Sequence, residues 1–412
     1  MPRMMTGCRA LGTGISCRRA TRRAAGRARD ATARPVQRQR DREKVKKPTA
    51  LPWVRTGKRR PTAEPWALFV EQETPALQEP PNVKRVLVIS IDPQEASFRL
   101  RMAILPRLLA ADHYEFEFHT RPKKWLDRLK LVASASRYHA VIVQRKLLDP
   151  SHAKILRWRS RRVVYDLDDA VMVQRRKIGR MSQWLKQRRF IATARSADHV
   201  VAGNQFLADT FVKLDCPVTV LPTVVDPQHY KIKSHAATDA PTLVWIGSRS
   251  TLPYLQQWMT AIEAATRRVP GLRLTTIAND TVRSEVIPVE HVAWSVEAES
   301  AALHRGDIGI APTPSDQWTI GKSGFKIIQY MATGLPTVAS PVGANEQILI
   351  DGTTGLLASS MEQWTDAIVR LANDVSLRAQ MGAAARRLVE TDYSLERARH
   401  VWREVLEGER PS

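Results

Sequence analysis

Lys322 and Lys326 stand four residues apart in Gly321-Lys322-Ser323-Gly324-Phe325-Lys326, between the strand-like run IGIAPT (308–313) and a helix-like stretch beginning near Phe325. A helix start presents free backbone N–H groups and the positive end of its dipole. Gly321 and Gly324 allow backbone to come close to a ligand. The combination suits a bound phosphate or pyrophosphate. In the first half of the chain, Ser97, Arg99 and Arg101 lie in DPQEASFRLR (92–101), just past an opening strand, where a cation can take an anionic group. Asp166, Asp168 and Asp169 end the run VVYDLDDA. Three carboxylates at a strand end repel one another, so a cation, an arginine or an acceptor hydroxyl must compensate. Asp168 or Asp169 suits orienting or deprotonating a hydroxyl. Helix capping by Asp169 is the plain structural alternative, and the DxD spacing also fits divalent-metal ligation.

These groups need rigid elements to hold them. Lys84-Arg85 leads into VLVISI, a buried parallel strand by composition, and a helix is expected from Arg99 to Ala111 on Leu100, Ile104, Leu105 and Leu108. YEFEFHT, YHAVIVQR, RRVVYDLDD, ADHVVAGN and VTVLPTVVD (218–226) read as further strands, with a basic helix over 186–195. Residues 231–241 are polar and unpatterned, a linker. A second series runs from TLVWIGS (242–248) through LRLTTIAN, HVAWS, IGIAPT, LPTVASPVG and TGLLA. Helices are expected at 254–269, up to His304 and at 325–333, with three more over 361–409. Strand alternating with helix predicts two Rossmann-like α/β domains, 84–230 and 242–390, whose ligands gather at the carboxyl ends of the strands.

The formal charge of +23 belongs mostly to the head: residues 1–60 hold nineteen Lys or Arg against Asp30, Asp41 and Glu43, leaving only +7 for the rest. Residues 1–80 are expected to be disordered. Their Arg-rich start resembles a targeting segment or a misassigned start, and nucleic acid is not the expected partner. Cys8, Cys17 and Cys216 allow no disulfide framework or Cys-based metal site, and His119, His139 and His199 are not spaced as a metal set, so neither metal nor cofactor is expected. Cys216 reads as a buried small residue. No run approaches the ~18 apolar residues of a membrane span, which points to a cytoplasmic protein, peripheral at most at the inner membrane face. Gln174-Arg175-Arg176-Lys177 with Arg188-Arg189 suits an anionic or membrane-associated acceptor and equally a solvated helix face.

The strings GKSGFK and QYMATGLPTVAS resemble the retaining glycosyltransferases of GT-B fold, the glycosyl transferases group 1 or family-four type, over residues 84–405. That family carries a Glu, seven residues and a second Glu before Ala-Met-Ala-x-Gly-x-Pro. Here Gly321 stands at the first, which in the family touches the transferred sugar, and Gln329 at the second, which contacts the nucleotide ribose. A Gln still accepts from ribose hydroxyls, without charge assistance. Asp166-Leu167-Asp168-Asp169-Ala170 and the Ser97-x-Arg99-x-Arg101 loop match strings of a subgroup. The resemblance implies that Gly247, Ser248 and Thr251 of WIGSRST lie near the donor phosphates and that Trp294, Ser295 and Glu297 pack the base. It further implies that helices after Tyr393, in 391–412, brace the first domain, and that transfer is metal-independent.

The expected function is then retaining transfer of a hexose-like sugar from a nucleoside diphosphate sugar, as co-substrate, to a hydroxyl of a glycan, lipid-linked or small-molecule acceptor. Lys322, Asp168 and Asp169 are the expected catalytic residues. Gly247, Ser248, Thr251, Trp294, Lys322, Gly324, Lys326 and Gln329 would bind the donor, and Ser97, Arg99 and Arg101 a phosphate or acceptor. Two other readings stay open: a sugar-nucleotide epimerase of the same fold, and a non-catalytic glycan- or nucleic-acid-binding protein. Each residue taken singly also has a bland role as loop charge, turn glycine or core aromatic.

Overall fold

Apolar runs rich in Val and Ile, with no alternation of polar residues, demand strands covered on both faces. The computed structural model describes residues 83–90, 92–173 and 179–408. The basic head at 1–80 with Cys8 and Cys17, and the run Gln174–Lys177, lie outside the described residues. Among those described, twelve strands form two parallel six-stranded sheets.

The first sheet contains Lys84–Ser90 (β1), Tyr114–Thr120 (β2), Ala140–Gln144 (β3), Val163–Leu167 (β4), His199–Ala202 (β5) and Val218–Val220 (β6), in the order β2-β1-β3-β4-β5-β6. Its helices are Ala96–Arg101 (α1), Leu105–Leu108 (α2), Trp125–Ala133 (α3), Pro150–Arg159 (α4), Arg180–Ser196 (α5) and Gln205–Val212 (α6). β3 and β4 are buried at every position. The helix expected over 99–111 is two helices, because Pro106 lacks an N–H and its ring would clash with the carbonyl of Met102, so α1 ends there and α2 starts afresh. The strand expected over 218–226 stops at Val220, ahead of Pro222.

The second domain follows the same plan, with Thr242–Ile246 (β7), Leu252–Arg268 (α7), Arg273–Ala278 (β8), Val289–Ala293 (β9), Val296–Arg305 (α8) and Ile308–Ala311 (β10). Gln317–Ile320 (α9), Phe325–Ala332 (α10), Thr337–Ala339 (β11), Ala344–Ile348 (α11), Gly355–Leu357 (β12), Met361–Asn373 (α12) and Val375–Asp392 (α13) complete it. Strand order is β12-β11-β10-β7-β8-β9. Each sheet therefore reverses direction once, between β1 and β3 and between β7 and β10. Such switch points leave a crevice at the carboxyl ends of the strands.

The final helix, Leu395–Glu407 (α14), leaves the second domain and packs into the first. Ala398, Val401, Trp402, Val405 and Leu406 share a core with Val86, Val88 and Met102. Arg399 pairs with Asp112 at 3.0 Å, and Arg162 Nε donates to the Val405 carbonyl at 2.8 Å. The chain thus passes between the domains twice, and the two passages touch: Val225 N–H donates to the Tyr393 carbonyl at 3.0 Å and Val225 pairs with Ser394. Residues 231–241 form no regular element. They are pinned by Lys233 on Asp307 at 3.1 Å and by a 2.9 Å hydrogen bond between His235 Nε2 and the Gly334 carbonyl. Cys216 is half-buried, and burial pushes its thiol up to about 11.

Candidate active site

The carboxyl ends of both sheets open onto one cavity of about 1110 Å³. From the second domain, Lys322, Gly324 and Lys326 face it at the start of α10, as do Gly247, Ser248 and Thr251 after β7. α10 begins as it does because Gly324 adopts φ +63°, a left-handed conformation that a side chain would strain. Lys322 Nζ lies 5.5 Å from the Trp318 ring and Lys326 Nζ 4.8 Å from the Trp245 ring. Neither ammonium has a carboxylate partner among the described residues. Burial, with the Lys322 charge adding to it, pushes the Lys326 amine down to about 7. The Thr251 hydroxyl is committed to its own turn, accepting from Ser248 N–H at 3.1 Å and donating to the Ser248 carbonyl. The Ser248 hydroxyl faces that of Ser250 at 2.9 Å.

The expected pair Arg99 and Arg101 separates. Arg99 lines the cavity, its guanidinium 4.9 Å from the Trp294 ring across the two domains. Arg101, expected to hold a phosphate or acceptor, is instead buried at 3% exposure. It grips Asp166 with Nε at 3.1 Å and Nη2 at 2.6 Å, and donates from Nη1 to the Leu221 carbonyl at 2.9 Å. Two positions along a helix turn by about 200°, so one of the two arginines faces the cleft and the other the sheet. Ser97 stays at the cavity wall, held by Gln144 Nε2 at 3.2 Å.

Arginines answer the carboxylate cluster. Asp166 belongs to Arg101, while Arg145, at the end of β3 with φ +53°, pairs with Asp169 at 2.9 Å and Asp168 at 3.5 Å. No helix starts at Ala170, so Asp169 caps none. Asp168, Asp169 and Arg145 all line the cavity. Among the described residues no group of three His, Cys, Asp or Glu is arranged to hold a metal.

Sequence reasoning missed Glu299. Glu297, expected beside the base, points to solvent, and Ser295 caps α8 through Ala298 N–H at 3.1 Å. Glu299, two positions on and hence on the opposite side of α8, faces the cavity. Its carboxylate accepts from Tyr230 Oη at 3.0 Å, from Trp294 Nε1 at 2.8 Å and from Gln329 Nε2. The Gln329 amide, expected to face a ribose, thus spends a donor on fixing this carboxylate. The missing first Glu also has a steric reason: a Cβ on Gly321 would sit 2.4 Å from the Ala170 Cβ of the first domain. The only hint of Glu299 in the sequence is its i+5 spacing from Trp294, too common a pattern to single it out.

Residues 236–374 match the glycosyl transferases group 1 family. Solved structures share the fold across most of the chain. Alr3699/HepE of Anabaena, in complex with UDP and glucose, aligns with TM-score 0.56 at 15% identity over 79% of this chain and 99% of its own. Sucrose-phosphate synthase from Thermosynechococcus elongatus aligns with TM-score 0.58 at 14% identity, over 78% and 99%. The pneumococcal O-GlcNAc transferase GtfA, in complex with UDP and GlcNAc, aligns with TM-score 0.50 at 12% identity, over 68% and 58%. No curated protein sequence matches the chain. The architecture is GT-B, and within it residues 236–374 carry a glycosyltransferase domain of group 1.

Proposed function

We propose that the protein transfers a sugar from a nucleoside diphosphate sugar to an acceptor hydroxyl, retaining the anomeric configuration and using no metal. The observation that carries this reading is the pair of amines, Lys322 and Lys326, beside the N-terminus of α10 in one cavity, neither paired with a carboxylate among the described residues. Two amines without an acidic partner among the described residues, Lys326 taking up its proton as an anion arrives, and a helix dipole form a receptor for a diphosphate. Negative charge grows on that diphosphate as the glycosidic bond breaks, and groups fixed beforehand stabilise it without reorganising. Glu299, held by three donors, offers its remaining lone pair, on Oε2, to a hydroxyl of the donor. Asp168 and Asp169, fixed by Arg145, orient the acceptor hydroxyl from the first domain. Retention rests on the resemblance of the 308–357 stretch to the group 1 enzymes, and UDP in the related structures makes a UDP-sugar the first donor to try.

The test is nucleotide release from a panel of nucleotide sugars, alongside melting curves with UDP, GDP, ADP and TDP; a bound nucleotide raises the melting temperature. Silence in both measurements would overturn the reading. Donor binding is also expected to depend on pH. The free Lys326 amine titrates at about 7, and a diphosphate beside it raises that value, so binding takes up a proton. Affinity is full below pH 7 and falls above it, by up to about tenfold per unit until the raised value is passed. Calorimetry with UDP-glucose, whose phosphodiester groups do not titrate there, should show the fall, and Lys326→Met should abolish it. Replacing Glu299 with glutamine removes the charge at constant shape and should weaken donor binding roughly tenfold; unchanged affinity would remove it from the site.

A further inference from the structure

We infer that the N-terminal ends of α3 and α5 form a docking surface for an anionic lipid bilayer, on the rim of the first domain. α5 carries Arg180, Lys186, Arg188, Arg189 and Arg195 and no Asp or Glu. Its buried residues, Phe190, Thr193, Ala194 and Ser196, all fall in its second half. In the first half, Met181, Trp184 and Leu185 recur at helical spacing on one face and lie 68%, 50% and 43% exposed. Arg188, the next position on that face, stacks 4.6 Å over Trp184. α3 repeats the composition: Trp125 and Leu126 are 47% and 63% exposed and directly follow the exposed Lys123 and Lys124. Asp127 is the acid of its first turn.

The two helix ends belong together. Arg128 from α3 and Arg189 from α5 both pair with Asp149 at the start of α4, at 2.9 and 2.8 Å. Arg121 joins them at 3.1 Å, so the acid between the two helices is outnumbered three to one. α3 follows β2 and α5 follows β4, which puts both N-termini at the carboxyl edge of the sheet, the edge that opens onto the cavity. Large apolar side chains beside exposed cations that pair with no acid among the described residues, Lys123, Lys124, Arg180 and Arg188, are costly in water and match an interface that takes apolar groups among acyl chains and cations among lipid phosphates. A bilayer, rather than a folded partner, suits exposed apolar side chains flanked by long cationic stems that can reach outward. The inference stands independently of how the cavity is read.

Co-sedimentation of the full chain with phosphatidylcholine vesicles, with and without phosphatidylglycerol, tests it. Binding is expected only to the anionic vesicles. The double variant Trp184→Ser, Leu185→Ser keeps every charge of the chain, the basic head included, and should lower partitioning roughly tenfold or more. Arg180→Ala with Arg188→Ala should lower it by about tenfold. All four side chains are exposed, and unchanged melting temperatures would show that the variants fold. Wild-type partitioning by the serine variant, or no binding to anionic vesicles, overturns the inference. So does retention on duplex DNA that survives both serine substitutions while vesicles retain nothing, which would make the surface a polyanion site.

Discussion

Replacing Lys322 with alanine should lower the rate of nucleotide release from the donor by roughly 100- to 1000-fold, with the melting temperature of the free protein almost unchanged. Its ammonium lies over the Trp318 ring and, among the described residues, pairs with no carboxylate. Its backbone carbonyl, which accepts from Asn204 Nδ2 at 2.9 Å, survives the substitution. The loss should fall on kcat more than on donor affinity, because Lys326 and the α10 amides remain to hold the ground-state diphosphate while the charge that grows during bond breaking goes unanswered. An equal loss in melting temperature and rate would mean that the lysine serves the loop. An unchanged rate would remove it from the chemistry.

Arg101→Ala should have the opposite profile. Asp166 would be left buried without its partner, a loss of about 3–5 kcal/mol for such pairs, visible as an early denaturant midpoint. Burial raises the Asp166 carboxyl, with the Asp168 charge adding to it, and Arg101, at 2.6 Å, is the main group opposing both, with Arg145 behind it. Exchanging both at once for apolar residues, Arg101→Met with Asp166→Leu, should recover most of the stability, since the pair's own desolvation disappears with it. Donor affinity of the folded fraction should not change in either variant. A stable Arg101→Ala protein that had lost turnover would return the residue to the site.

The fold was legible because doubly covered strands announce themselves as unbroken apolar runs, as in VLVIS and VVYDL, and no tertiary information is needed to see them. The lysine side of the cavity was legible for a similar reason: Lys322, Gly324, Lys326 and Gln329 lie within eight consecutive positions on one loop and helix. The carboxylate end was not. Glu299 is assembled with Tyr230, 69 positions away, and Gln329, 30 positions away, and no local spacing encodes that meeting. Two errors share one cause. Choosing Arg101 along with Arg99, and Glu297 in place of Glu299, ignores that alternate residues of a helix face opposite ways, which cannot be applied until the helix start is known. The break at Pro106 shows the reverse case, where one residue type decides a boundary that periodicity alone had run through.

The paired crossings at Val225 and Ser394 determine how the molecule can move. A domain tethered at one point swivels freely, whereas two adjacent strands joined by a hydrogen bond act as a short pin. One half can then turn against the other about that pin but cannot slide along it. Points far from the pin travel furthest, so the 2.9 Å bond between Asn204 and the Lys322 carbonyl and the stacking of Arg99 on Trp294 are latches that part when the halves swing apart. Because the Lys322 loop is itself one side of such a contact, a rotation of this kind would change the posture of its lysine.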